Sequence, residues 1–200
     1  SYGDTDHRPP LVLLHGLTFD RTMWRPALAE LRRIDPGRRV LSVDLPGHGE
    51  SPTGASYALD DVVHQVHRAV EEAELRSPVL VGHSAGAIAA TIYSARYPAS
   101  GVVNVDQPLQ TAPFAQLLRS QAERLRGPDY LLVWQMLYAG FHTELLPPAM
   151  QELVHATGNP RQDLLLGYWS DILNDRPISE LTARIAAELA VLRATGLPYL

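Results

Sequence analysis

The segment Val79-Leu80-Val81-Gly82-His83-Ser84-Ala85-Gly86 runs an apolar strand-like stretch straight into a helix-like one, Ala87 to Tyr97, with Gly-x-Ser-x-Gly at the junction. That pattern is a nucleophile elbow in the making. A strand-to-helix turn this sharp strains the backbone of its central residue and crowds its neighbours, so the positions two before and two after it, Gly82 and Gly86, have little room for a side chain. Ser84 would then stand at the carboxyl edge of a sheet and at the positive end of a helix, where the Ala85 N–H can meet a developing oxyanion. The competing reading is a glycine-rich turn with an incidental serine. The strand before and the helix after favour the elbow.

A second donor would come from Leu11-Val12-Leu13-Leu14-His15-Gly16-Leu17-Thr18, an apolar strand ending in His-Gly. A loop there can lie beside the elbow and offer the Leu17 N–H as the other half of an oxyanion hole, each such donor contributing about 3 kcal/mol to the transition state. His15 and His83 flank this region and read as structural imidazoles that hydrogen-bond loop backbone. A third block, Val43-Asp44-Leu45-Pro46-Gly47-His48-Gly49-Glu50-Ser51, leaves its strand through a tight Pro/Gly loop that carries His48 near the same edge.

These blocks need a scaffold, and the rest of the chain spells one. Leu11–His15, Val40–Asp44, Val79–Gly82 and Val102–Asp106 are short, nearly continuous apolar runs, as parallel strands buried on both faces are. They alternate with helix-length segments around Arg21–Arg33, Leu59–Leu75 and Ala85–Tyr97, the βαβ signature. In the second of these, Leu59, Val62, Val63, Val66, Val70 and Ala73 form one stripe. His64 and His67 fall between them, beside Asp60 and Asp61, and read as a solvated polar face rather than a metal site. Residues 108–183 are helical in pattern, broken at Gly127-Pro128, Pro147-Pro148, Gly158-Asn159-Pro160 and Arg176-Pro177. This stretch has the form of a helical lid inserted into the sheet domain. A last helix, Ser179 to Ala194, leads to a nascent strand at Leu197. The expected division is a core of residues 1–107 and 184–200 with a cap of 108–183.

Composition narrows the chemistry. The 200-residue chain has no Cys, so thiol nucleophiles, thiolate metal sites and disulfides are excluded. All 17 basic residues are Arg, which removes lysine Schiff bases and the P-loop lysine. A net charge of −5 gives no basic face for nucleic acid, and no apolar run approaches a membrane span. The expectation is a small-molecule substrate without metal or cofactor, and a cytoplasmic location. No oligomeric signal is present.

Together, the His-Gly strand, the Asp-x-Pro-Gly-x-Gly-x-Ser loop, the Gly-x-Ser-x-Gly elbow and the helical insertion resemble the α/β-hydrolase superfamily, in particular its cap-bearing serine esterases and carbon–carbon bond hydrolases. The resemblance implies a mostly parallel sheet flanked by helices with an inserted lid, and an acyl-enzyme on Ser84 formed from a small, largely apolar ester or related carbonyl compound. In that family the triad acid and histidine follow the nucleophile. Asp106 is a candidate acid, with a plain strand-end carboxylate as the alternative. The resemblance further implies that the sequence continues past Leu200 with the histidine and an acid, and that the family's first strands are missing or reduced to a stub at Tyr2. Trp134, Tyr138, Phe141 and Trp169 are candidates for the pocket roof, His142 and His155 for lid positions. A ligand-binding protein without turnover, and cofactor-free peroxidase or lyase chemistry, are the other activities the same fold accommodates.

Overall fold

The computed structural model describes residues 8–174 and 176–200; the Tyr2 stub lies outside them. Four strands form one sheet: β1 (Leu11–Leu14), β2 (Val40–Val43), β3 (Val79–His83) and β4 (Gly101–Val105), in the order β2-β1-β3-β4 and parallel throughout. Val12, Leu13 and Leu14 are all buried, so central β1 has no solvent face, whereas β2, at the edge, keeps only Val40 fully covered. Leu14 pairs with both Val43 and Gly82, and His83 with Val105. The carboxyl ends of all four strands are therefore level, and the loops that leave them share one edge.

Helices α1 (Arg25–Ile34), α2 (Leu59–Glu72) and α3 (Ala85–Arg96) connect the strands. Segment 21–33 is not one helix. Asp20 caps a 3-10 turn at Arg21–Trp24 by accepting from the Thr22 N–H at 2.7 Å, and Pro26, which has no N–H to donate, opens α1 behind it. Helix α2 buries Val62, Val63, Val66 and Val70 and stops before Leu75, because Glu74 takes φ 52° and ends the run. Along α3, Gly86, Ala87, Ala89, Ala90, Thr91, Ile92 and Tyr93 are all buried. Its small residues let it sit close on the sheet, with α2 and the long helix α10 (Ile178–Thr195) beside it. Two arginines hold α10 there: Arg96 Nε donates to Glu188 at 3.0 Å and Arg184 to Asp60 at 2.6 Å.

His67 corrects the solvated-face expectation. It is half-buried, and its ring stacks on Tyr97 with centroids 3.7 Å apart; only His64 is exposed. The apolar stripe marks the buried face of α2 correctly, but a residue on its margin still meets a neighbouring helix.

Between β4 and α10 run α4 (Ala112–Ser120), α5 (Ala122–Arg126), α6 (Tyr130–Ala139), α7 (Pro148–Thr157), α8 (Gln162–Tyr168) and α9 (Ser170–Leu173). Breaks fall at the Gly and Pro sites noted above, and further ones at Gln121, Gly140 and Trp169, which the sequence pattern does not mark. Leu118, Leu125, Val133, Leu164, Leu165, Trp169 and Leu173 gather there into a second core, separate from the sheet core, and Leu17 belongs to it. Past α10, Tyr199 bridges Val102 in parallel, with Val102 N–H donating to Pro198 O at 2.9 Å, so the strand expected from Leu197 begins on the outer side of β4. Among the described residues no helix is long and apolar enough to cross a membrane.

Candidate active site

Ser84 sits between β3 and α3 at φ 51°, ψ −122°, backbone that L-residues with a β-carbon avoid. Its surroundings enforce this. A β-carbon on Gly82 would lie 2.3 Å from Gly86 O and 2.5 Å from Ala87 N; one on Gly86 would lie 2.4 Å from Leu14 O and 2.5 Å from His15 O. The two elbow glycines thus serve different contacts. Gly82 lets the turn fold back on itself, and Gly86 lets α3 descend onto the end of β1. The Ser84 N–H donates to Val105 O at 3.2 Å, and its carbonyl accepts from Ala87 and Ile88, so the strained residue is pinned on both sides.

The β1 loop arrives where the sequence places it. A β-carbon on Gly16 would meet His83 Nδ1 at 2.6 Å and Ser84 Cβ at 3.3 Å, which puts the loop in contact with the nucleophile. Gly16 O accepts from Phe19 N at 3.1 Å, closing a turn with Leu17 and Thr18 at its centre. Among the described residues neither the Leu17 N–H nor the Ala85 N–H donates to an acceptor; Leu17 follows Gly16, which packs on Ser84, and Ala85 follows Ser84 itself.

His15 is structural, as expected, and the geometry fixes its tautomer. Its Nε2 accepts from Leu45 N–H at 2.9 Å, so the proton is on Nδ1, 2.8 Å from Gly16 O. His48 follows the same plan: Nε2 accepts from Thr18 N–H at 3.2 Å and Nδ1 faces Pro46 O at 3.1 Å. Burial lowers the pKa of both, that of His15 to about 4. His83 departs from expectation. It makes no bond to loop backbone; its Nδ1 is buried against Gly16 with no hydrogen-bond partner, and its ring stands edge-on to Phe19. Burial lowers its pKa as well, opposed by the charge of Asp106.

The sign of the His15 shift gives a testable pH dependence. The unfolded chain takes up this proton near 6.5 and the folded one only near 4, so stability is complete above pH 6.5 and is lost as pH falls through that window. Urea unfolding should show stability decreasing by roughly 3 kcal/mol between pH 7 and pH 4 from this residue. A flat profile would mean that the imidazole is not buried neutral.

Asp106 ends β4 at the same edge, exposed and at φ 56°, without a hydrogen bond to any imidazole among the described residues. No imidazole there bonds Ser84 Oγ either. Of the four roof candidates, Trp134 and Trp169 pack in the cluster that also holds Leu17 and Ala85. Tyr138 and Phe141 pack on each other outside it, and Phe141 is 56% exposed. His142 is exposed, with Nδ1 3.1 Å from Glu144. A cavity of about 630 Å³ lies elsewhere in the helical region, lined by Arg119, Ala122, Arg126, Leu173 and Asn174. Its arginines donate to the carbonyls that close α9, Arg119 Nε to Ile172 O at 2.7 Å and Arg126 to Leu173 O at 3.0 Å.

Sequence reasoning missed how residues 157–169 grip the strand-end loops. Asn159 N–H donates to Thr18 O at 2.7 Å, Arg161 to Gly47 O at 3.0 Å, and Tyr168 Oη to Pro46 O at 2.9 Å. Tyr57 stacks on Tyr168 and fills the space over Gly47 and Gly167. The Gly-Asn-Pro turn and the Pro-Gly-His-Gly loop are both visible as turns, yet nothing local pairs them.

Comparison with known proteins bears on this arrangement. A sequence profile of the alpha/beta hydrolase family matches residues 11–198. The chain is 38% identical over 91 residues to the biotin biosynthesis bifunctional protein BioHC of Cellvibrio japonicus (strain Ueda107), a match covering 46% of this chain and 17% of that protein. It is 34% identical over 101 residues to monoacylglycerol lipase ABHD6 of Homo sapiens, covering 48% of this chain and 29% of the lipase. The matched part therefore spans less than a third of either relative. Among solved structures, a hydrolase from Pseudomonas aeruginosa PA01 is similar with a TM-score of 0.68 and 20% identity, over 92% of this chain and 70% of that one. The enol-lactonase from Burkholderia xenovorans LB400 is similar with a TM-score of 0.65 and 18% identity, over 86% of this chain and 66% of that one. At these identities the likeness is one of fold.

Proposed function

The chain belongs to the alpha/beta hydrolase family, and on that premise we propose that it is a serine hydrolase acting on a small, largely apolar ester or related carbonyl compound. The observation that carries this reading is Ser84 at φ 51° at the N-terminus of α3, packed against the Gly16 turn, with the Leu17 and Ala85 N–H groups without acceptors among the described residues. In this mechanism Ser84 Oγ attacks the carbonyl carbon, the two N–H groups hold the oxyanion, and the alcohol leaves as the acyl-enzyme forms. Water then attacks the acyl-enzyme and releases the acid. The cluster that holds Leu17, Trp134 and Trp169 also includes Ala85, next to the serine, and in this proposal its apolar character favours an apolar acyl group. Helices α4–α9 act as the lid.

A serine hydroxyl is almost un-ionised at neutral pH and needs a base. In this proposal a histidine and an acid complete the site; no imidazole among the described residues hydrogen-bonds Ser84. The same observation favours a second reading, a ligand-binding protein of this fold with little turnover.

Labelling the intact natural protein with a fluorophosphonate and mapping the modified peptide separates the two. One adduct, on Ser84, is the expected result. A folded protein that stays unlabelled would reject the hydrolase and leave the binding reading.

A further inference from the structure

Leu17 carries an oxyanion donor in the reading above; its side chain packs in the second core, and among the described residues its backbone is held through its neighbour. Thr18 is β-branched and adopts φ 72°, a conformation such residues avoid, and it is buried with its hydroxyl unpartnered. Left alone, Thr18 would relax toward negative φ and re-aim the chain before it, including the Gly16–Leu17 peptide that carries the Leu17 N–H. Two bonds oppose this, one on each side of the residue: Thr18 N–H to His48 Nε2 at 3.2 Å, and Asn159 N–H to Thr18 O at 2.7 Å.

Resting on the assignment of Ser84 and Leu17, we propose that His48 is a positioning residue of the oxyanion hole, its Nε2 accepting the Thr18 N–H and so fixing the Leu17–Thr18 peptide beside the elbow, with the Asn159 turn closing the grip from the helical region.

The environment of His48 suits a permanent acceptor. The ring is 4% exposed and stands edge-on to His15 at 5.0 Å and to Tyr168 at 5.2 Å. Pro46 O takes the proton on Nδ1, which leaves Nε2 as a lone pair aimed at Thr18. Arg161, at the other end of the loop, opposes a second proton on the ring, while Asp44 favours one and burial outweighs it. His15 ties the same two loops together through Leu45 but bonds Gly16, not Thr18. The two histidines are therefore not equivalent. His15 anchors the base of the loop, and His48 sets the peptide that follows the donor.

The test compares His48→Leu, which removes the acceptor, with His48→Gln, whose Oε1 can replace Nε2, in the full-length protein. In His48→Leu, amide hydrogen exchange at Thr18 should accelerate at least about tenfold. With a short-chain aryl ester, kcat should fall roughly 10- to 100-fold while KM stays within about twofold, because the lost interaction belongs to the transition state. His48→Gln should recover most of both. A merely structural histidine would lower the melting temperature without the kcat-only loss or the glutamine rescue. Unchanged Thr18 exchange, or fast exchange with unchanged kcat, overturns the proposal. If His48→Leu does not fold, Asn159→Pro deletes the opposing N–H donor and gives the same two readouts. Wild-type protein that hydrolyses no ester would remove the hydrolase reading instead, and the exchange data would still decide whether His48 fixes the loop.

Discussion

Replacing Ser84 by alanine should lower the turnover of an aryl ester by about 10⁴-fold or more and abolish phosphonate labelling, while leaving the thermal midpoint unchanged. The loss is large because no neighbouring side chain can substitute for Oγ. The described neighbours of the serine are backbone groups of Gly16, Val105, Ala87 and Ile88 and the adjacent His83 ring, none of them a nucleophile at neutral pH. The stability is untouched because, among the described residues, Ser84 Oγ makes no hydrogen bond and alanine keeps the β-carbon. Ser84→Gly sharpens the comparison. Glycine accepts φ 51° freely, so this variant should be equally inactive and about 1 kcal/mol more stable than the wild type, as expected if the elbow holds strain for function. A Ser84→Ala protein that keeps more than a few per cent of its activity would place the chemistry elsewhere.

Gly86→Ala should be strongly destabilising. The new carbon would lie 2.4 Å from Leu14 O and 2.5 Å from His15 O, and both are backbone atoms, so neither can move aside without shifting β1 or lifting α3. Overpacking against a fixed backbone costs about 3 kcal/mol or more, some 6–12 °C in melting temperature for a chain of this size. Any lift of α3 also displaces the Ala85 N–H, so activity should fall in the protein that remains folded. Gly127→Ala is the control. Its β-carbon would meet nothing closer than Glu123 O at 3.4 Å, and the melting temperature should move by no more than about 2 °C. Equal effects at the two positions would show that the sheet-to-helix approach is looser than drawn.

What was legible in the sequence is what neighbouring residues decide among themselves. Continuous Val/Leu runs marked all four strands, β1 buried on both faces, and two glycines around Ser84 marked a turn too tight for side chains. The register of β1 on β3 then brought the Gly16 turn against Ser84 with no further signal. What stayed hidden joins distant parts of the chain. His48 lies 30 residues from Thr18 and Tyr168 lies 122 from Pro46, and neither spacing leaves a periodic trace. His83 shows another limit. Residue type suggests that a histidine in a loop will find a partner, yet the closeness demanded at Gly16 leaves its Nδ1 none. Phe141, apolar and placed among aromatics, gives no sign in the sequence that it turns to solvent.

The three bonds from Asn159, Arg161 and Tyr168 to the strand-end loops also decide the mechanics of the helical region. They make α8 the post of a door. Helix α6, whose Leu131, Leu132 and Met136 are exposed, leans on that post through α5 and through Val133, which shares a core with Leu164 and Leu165. In the proposed lid, the exposed edge of α6 is then the free side of the door and the strand-end loops are its frame, so the loop gripped by the post need not be rebuilt when that edge moves.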